Sequence, residues 1–132
     1  MTPDATFFVT VCAQDRKQNT FSNAEMGKVV LDSIRWRNEK QLWYCELAVL
    51  MPDHVHLILN FPDGVPMTSS IRDWKSWLAK KYGIEWQRNF FDHRLRREES
   101  FDEKGRYILQ NPVRAGLVAK AEDWPYLWIA IG

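Results

Sequence analysis

Cysteine is scarce in this chain of 132 residues. There are two, Cys12 and Cys45, and their spacing fits no metal-ligand pattern. That argues against a cysteine-based zinc module and against a disulfide-stapled scaffold. No secretory leader is recognisable, so both thiols are expected to be reduced, buried and in a cytoplasmic protein. Long apolar runs are lacking too: none approaches the roughly 20 residues that cross a bilayer, and no membrane partner is expected. Excess charge is nearly absent. The formal net charge is +1, from 18 basic and 17 acidic side chains, which alone gives no reason to expect a nucleic-acid partner. With no repeat, low-complexity stretch or linker, residues 1–132 read as a single domain.

What is present is apolar and aromatic. Hydrophobic residues make up 45% of the chain and include seven Trp and seven Phe, enough to build a core. Aromatics at patterned positions are usually core, and they are also potential base-stacking surfaces. Charge is unevenly spread. Between residues 72 and 97 stand Arg72, Lys75, Lys80, Lys81, Arg88, Arg94, Arg96 and Arg97, against only Asp73, Glu85 and Asp92. Such a band either contacts phosphates or is an ordinary solvated face.

Phe7 to Cys12 has strand character. Ser22-x-x-Glu25 predicts a capping box opening a helix, with Phe21 and Met26 as a hydrophobic staple. Met26, Val29, Val30 and Ile34 then mark its apolar face to about Lys40. Leu42–Leu50 and His54–Phe61 read as two strands joined through Pro52-Asp53, hence an antiparallel hairpin. A second helix is expected over about Thr68–Tyr82, with Met67, Ile71, Trp74, Leu78 and Tyr82 as its stripe and Gly83 as its stop. Phe90–Leu95 suits a further strand. Ser100-x-x-Glu103 predicts a third, C-terminal helix that carries Tyr107. The order β-α-β-β-α-β plus a helix is an α+β, ferredoxin-like split βαβ arrangement, an antiparallel sheet with helices on one face.

The hairpin contains the segment Met51-Pro52-Asp53-His54-Val55-His56-Leu57. Alternate strand residues share a face, so His54 and His56 point one way and Val55 and Leu57 the other. Two imidazoles on a rigid strand are half of a divalent-metal site. Taken alone, the pair fits more readily two histidines that simply hydrogen-bond on a half-buried face. Unsatisfied imidazoles in so apolar a stretch would be costly, and imidazole suits a site that keeps open positions for substrate oxygens.

The segment Tyr107-Ile108-Leu109-Gln110-Asn111-Pro112 sets a phenol and an amide at i and i+4, on one helical face. Pro112 discourages helix at Asn111. Asn111 therefore either ends or caps a helix, with Pro112 as the first residue of the next turn, or reaches a metal. A phenol ionises only near about pH 10, so a neighbouring positive charge helps it act as a nucleophile. Attack on a phosphodiester would leave a covalent phosphotyrosine and a free hydroxyl, a reversible transesterification.

Together, these motifs resemble the HUH single-tyrosine transposases, especially the REP-associated tyrosine transposases. The shared features are His54-Val55-His56 within Met-Pro-Asp-His-Val-His-Leu, an aromatic-Asp-His-x-x-Arg segment at Phe91-Asp92-His93-Arg94-Leu95-Arg96-Arg97, and Tyr107-Ile108 through Asn111-Pro112 to Ala115-Gly116-Leu117. The resemblance implies a ferredoxin-like catalytic domain with a C-terminal helix bearing the nucleophile Tyr107. It implies His54, His56 and Asn111 around Mg²⁺ or Mn²⁺, and single-stranded, hairpin-forming DNA (REP-like or transposon-end sequences) as partner. The implied reaction is nicking and strand transfer through a 5′-phosphotyrosine. His93 carries no implied role. Arg72, Lys75, Arg94, Arg96 and Arg97 are the expected DNA contacts, and monomer and homodimer are both compatible. Two other functions compete: a domesticated protein that grips DNA hairpins without cutting, and a metal-dependent hydrolase that needs only the histidine pair. The first predicts loss of Tyr107 or a histidine, and neither is lost; the basic band and Tyr107 weigh against the second.

Overall fold

The computed structural model describes residues 5–95 and 101–130. Its elements run β1 (Thr6–Cys12), α1 (Ala24–Glu39), β2 (Tyr44–Leu50), β3 (His54–Asn60), α2 (Met67–Tyr82), β4 (Phe91–Leu95), α3 (Phe101–Leu109) and α4 (Asn111–Arg114). A 3₁₀ turn at Ala121–Asp123 and a last strand, β5 (Leu127–Ile129), follow. The five strands form one antiparallel sheet in the order β4-β1-β3-β2-β5. This is the expected ferredoxin-like sheet extended by β5. Three residues gave too little periodicity to announce that strand. Among the described residues no helix is long and apolar enough to cross a membrane.

Two helix starts differ in detail from the capping expectations. The cap of α1 is Asn23, whose side chain accepts from the Met26 amide at 2.9 Å. Ser22 instead turns inward and donates to the Leu50 carbonyl. An N-cap one residue later still satisfies an orphan amide, so the box motif located the helix but not its first residue. Likewise Gln110, not Asn111, precedes α4, and Asn111 and Pro112 are its first two residues. The expected cap at Ser100 lies outside the described residues. Gly83 ends α2 in the left-handed conformation, φ 74°, where a Cβ would be strained.

The sheet has a core on each face. Val9, Val11, Val55, Leu57 and Leu59 meet Val30 and Ile34 of α1 and Ile71, Trp74 and Leu78 of α2. Trp43 and Trp74 cross edge to face at 5.4 Å, and the Trp74 indole donates to Ser33 Oγ at 2.9 Å. Losing either ring would cost about 3–5 kcal/mol. Trp74 is thus core, while Tyr82, expected on the same stripe, is substantially exposed.

A β-bulge between Cys45 and Leu47 reverses the alternation of β2. Cys45, Ala48 and Leu50 face the helices, while Leu47 and Val49 face the other side. There they meet Ile58, Leu95, Ile108 and Trp124 in the second core. This explains why β2 reads as almost continuously apolar: both of its faces are covered. By the same alternation His54, His56, Ile58 and Asn60 of β3 share the second face. Burial of Ile108 holds α3 there. The Trp124 indole pins the tail to the Leu50 carbonyl at 3.1 Å. The helix of Tyr107 and the two histidines therefore lie on the same side of the sheet.

Candidate metal and nucleophile site

His54 and His56 are half-buried, and their Nε2 atoms face each other at 3.2 Å. Each ring is oriented through its other nitrogen. His54 Nδ1 lies 2.7 Å from Asp53 Oδ1, and His56 Nδ1 lies 3.0 Å from the Thr10 hydroxyl. Thr10 is the register partner of His56 on β1. Phe8, on the same face of β1, packs against the His56 ring at 5.3 Å. Asp53 also accepts from Arg16 Nε. Burial alone would raise the carboxyl pKa of Asp53, but the hydrogen bonds from Arg16 and His54 outweigh it and hold it below its ordinary value.

An ionised Asp53 only accepts hydrogen bonds, so His54 carries its proton on Nδ1 and, when neutral, leaves Nε2 bare. With His54 neutral, the 3.2 Å contact places the proton between the rings on His56 Nε2, with Thr10 donating to His56 Nδ1; with His54 charged, His54 Nε2–H donates to His56 instead. A threonine hydroxyl both donates and accepts. Rotating it lets His56 move its proton to Nδ1, which bares both Nε2 atoms. The pair thus satisfies itself and can also become a two-nitrogen chelate. Burial, followed by the charges of His54 and Arg114, pushes the His56 pKa down to about 3, so His56 is neutral, the form that ligates metals.

The donor set fits a divalent ion. A separation of 3.2 Å is close to that of two neighbouring nitrogens each about 2.1 Å from one ion. Among the described residues no group of three or more His, Cys, Asp or Glu gathers around a common point. Remaining positions would fall to an amide, water or substrate oxygens, which suits Mg²⁺ or Mn²⁺.

Tyr107 is 56% exposed. It is tied to its surroundings by a residue that sequence reasoning passed over. The Arg114 guanidinium stacks on the Tyr107 ring, 4.2 Å from its centroid, and Nη2 donates to the Tyr107 carbonyl at 2.6 Å. The same Nη2 donates to Asn111 Oδ1. Asn111 therefore faces Arg114, and no hydrogen bond joins it to either histidine. Arg114 links both halves of the site, since its charge is also felt at His56. The available signal was its spacing, seven residues after Tyr107 and three after Asn111. Asp53 was legible as the residue before His54; Thr10 was not, because only the strand register pairs it with His56.

Of the expected DNA contacts, Arg72, Lys75 and Arg94 lie away from this site. Arg72 is exposed on α2. Lys75 is a correction: it is 8% exposed, and its ammonium donates to the carbonyls of Gln87 and Arg88, anchoring the segment before β4. A lysine on the flank of a packed helix buries its stem and uses its head locally. Arg94 is exposed and pairs with Phe7, whereas His93 pairs with Phe8. Arg94 therefore sits on the α1/α2 face, away from the histidines. Arg96 and Arg97 lie outside the described residues.

The sequence matches no family model. It is 32% identical over 81 residues to the REP-associated tyrosine transposase of Escherichia coli (strain K12), covering 59% of this chain and 49% of that protein. A Haemophilus influenzae (strain ATCC 51907 / DSM 11121 / KW20 / Rd) relative is 27% identical over 95 residues, covering 58% of this chain and 53% of the relative. The chain spans about half the length of the curated relatives it matches. Among solved structures, a REP-associated tyrosine transposase bound to a REP hairpin superimposes with a TM-score of 0.81 at 25% identity, over 96% of this chain and 77% of that one. In its motifs, its sequence and its fold, the chain is similar to the REP-associated tyrosine transposases.

Proposed function

We propose that this chain is a transposase-type enzyme of the cytoplasm, which nicks and rejoins single-stranded DNA beside hairpins through a covalent bond to Tyr107. The observation that carries this reading is the convergence of His54 and His56 Nε2 at 3.2 Å on the sheet face that also carries α3. The similar structure bound to a REP hairpin supports hairpin DNA as the partner.

In this mechanism His54 and His56, oriented by Asp53 and Thr10, would hold a divalent ion, with Asn111 as a further ligand if it left Arg114. Such an ion supplies positive charge to a phosphate that gains negative charge during attack. Tyr107 gives up its phenolic proton and its oxygen bonds to phosphorus. The bond from phosphorus to the 3′ oxygen breaks, and that oxygen leaves as a hydroxyl carrying one proton. The DNA 5′ side remains on Tyr107 as a phosphodiester. Rejoining is the reverse reaction with a new 3′ hydroxyl. Exposure of Tyr107 lets a strand reach it, and the half-buried histidines fix where the phosphate lies.

The test is incubation of the protein with end-labelled hairpin-bearing single-stranded DNA and Mn²⁺, followed by denaturing electrophoresis. A labelled band at the mass of protein plus DNA, absent with chelator, is expected. Cleavage with no adduct would indicate activated water instead. No cleavage, with tight hairpin binding, would support the domesticated binder.

A further inference from the structure

Of the basic band, Arg72, Lys75, Lys80 and Lys81 lie on α2 and Arg94 on the α1/α2 face of β4, whereas the histidines and α3 lie on the other face. Arg114 is a cation linked to both the nucleophile and the histidines. One nitrogen, Nη2, is committed to the Tyr107 carbonyl and Asn111 Oδ1. That fixes the guanidinium against the phenol ring at 4.2 Å. Its Nη1 and Nε have no hydrogen-bond partner among the described residues, and the side chain is exposed. An anchored, planar cation with two free donors beside a nucleophile is built to receive an oxyanion.

We propose that Arg114 is a catalytic residue, whose free N–H groups take a non-bridging oxygen of the scissile phosphate and hold phosphorus against the Tyr107 oxygen. This assignment rests on the strand-transfer reading above. Arg114 makes and breaks no covalent bond and keeps its proton throughout. Its contribution is to fix the position of the phosphate and to neutralise charge on the non-bridging oxygen as the phenol attacks. Stacking on the ring couples the two partners, so phosphate and nucleophile are oriented by one side chain. A purely structural role, clamping the Asn111 turn to α3, is the alternative.

The test compares single-turnover nicking by wild type, Arg114→Ala and Arg114→Lys on saturating hairpin DNA with Mn²⁺. An inactive wild type would defeat the strand-transfer reading itself, and with it this assignment. With an active wild type, Arg114→Ala is expected to nick about 10²–10³-fold more slowly, with hairpin affinity and melting temperature little changed. Arg114→Lys should recover only part of the rate, because an ammonium is a point charge. The deciding comparison uses a substrate with an uncharged methylphosphonate at the scissile position. If Arg114 binds the phosphate, wild type and Arg114→Ala should cleave this substrate at nearly equal rates. If Arg114→Ala shows the same deficit on both substrates, or none on the natural one, the assignment is overturned. Should Arg114→Ala melt early, Arg114→Lys carries the same two-substrate comparison with the stem intact.

Discussion

Thr10 on β1 stands directly opposite His56 on β3, and its hydroxyl lies 3.0 Å from His56 Nδ1. The hydroxyl is the group that allows His56 to hold its proton on either nitrogen. Thr10→Val keeps shape and strand preference but removes the partner. Partners of this kind are typically worth about 10–100-fold in metal affinity. Calorimetric titration with Mn²⁺ should therefore show binding at least about tenfold weaker in Thr10→Val, with the fold retained. Unchanged affinity would mean that Thr10 does not orient the ring.

Gly27 in α1 gives a stability prediction of opposite sign to helix propensity. In an open helix Gly→Ala gains about 1 kcal/mol. Here an added Cβ would lie 2.7 Å from Cδ1 of Tyr126 and 3.3 Å from the Phe21 carbonyl oxygen. Overpacking of this kind costs about 1–3 kcal/mol. Gly27→Ala should thus lower the urea midpoint. A raised midpoint would show that Tyr126 yields without cost.

The fold was largely legible because its signals are local. The spacing of Val29, Val30 and Ile34 marks a helix, and Pro52-Asp53 between apolar runs marks a hairpin. Alternation alone put His54 and His56 on one face. What escaped depends on contacts distant in sequence. The bulge at Cys45/Leu47 has no sequence signature, and it decides which residues of β2 support α3. Thr10 reaches His56 across 46 residues. Lys75 looked like any surface lysine in a basic run, since its carbonyl partners appear only when the segment before β4 folds back. Arg114 lies between Asn111-Pro112 and Ala115-Gly116 but had no role until α4 turned it onto Tyr107.

Two exposed arginines of the basic band offer a way to test binding apart from chemistry. Arg72 and Arg94 lie away from the histidine face, so neutralising both should weaken DNA binding without slowing nicking at saturating DNA. For a single strand, each phosphate that a cation no longer neutralises reduces the steepness of log K against log salt by about 0.7. The double variant should therefore flatten the dependence by about one to two units, measured by fluorescence anisotropy across a salt series. An unchanged slope would return these residues to a solvated face.

Tyr107 carries the central claim. Tyr107→Phe removes one oxygen from an exposed ring and leaves the stacking surface for Arg114. Folding and hairpin binding should persist while nicking and the covalent adduct vanish. The most direct measurement is peptide mapping, by mass spectrometry, of the adduct formed by wild type on hairpin-bearing single-stranded DNA with Mn²⁺. A nucleotide mass on the peptide containing Tyr107, and none from Tyr107→Phe, is the expected result. Full nicking by Tyr107→Phe, or an adduct at Tyr44, Tyr82 or Tyr126, would contradict it.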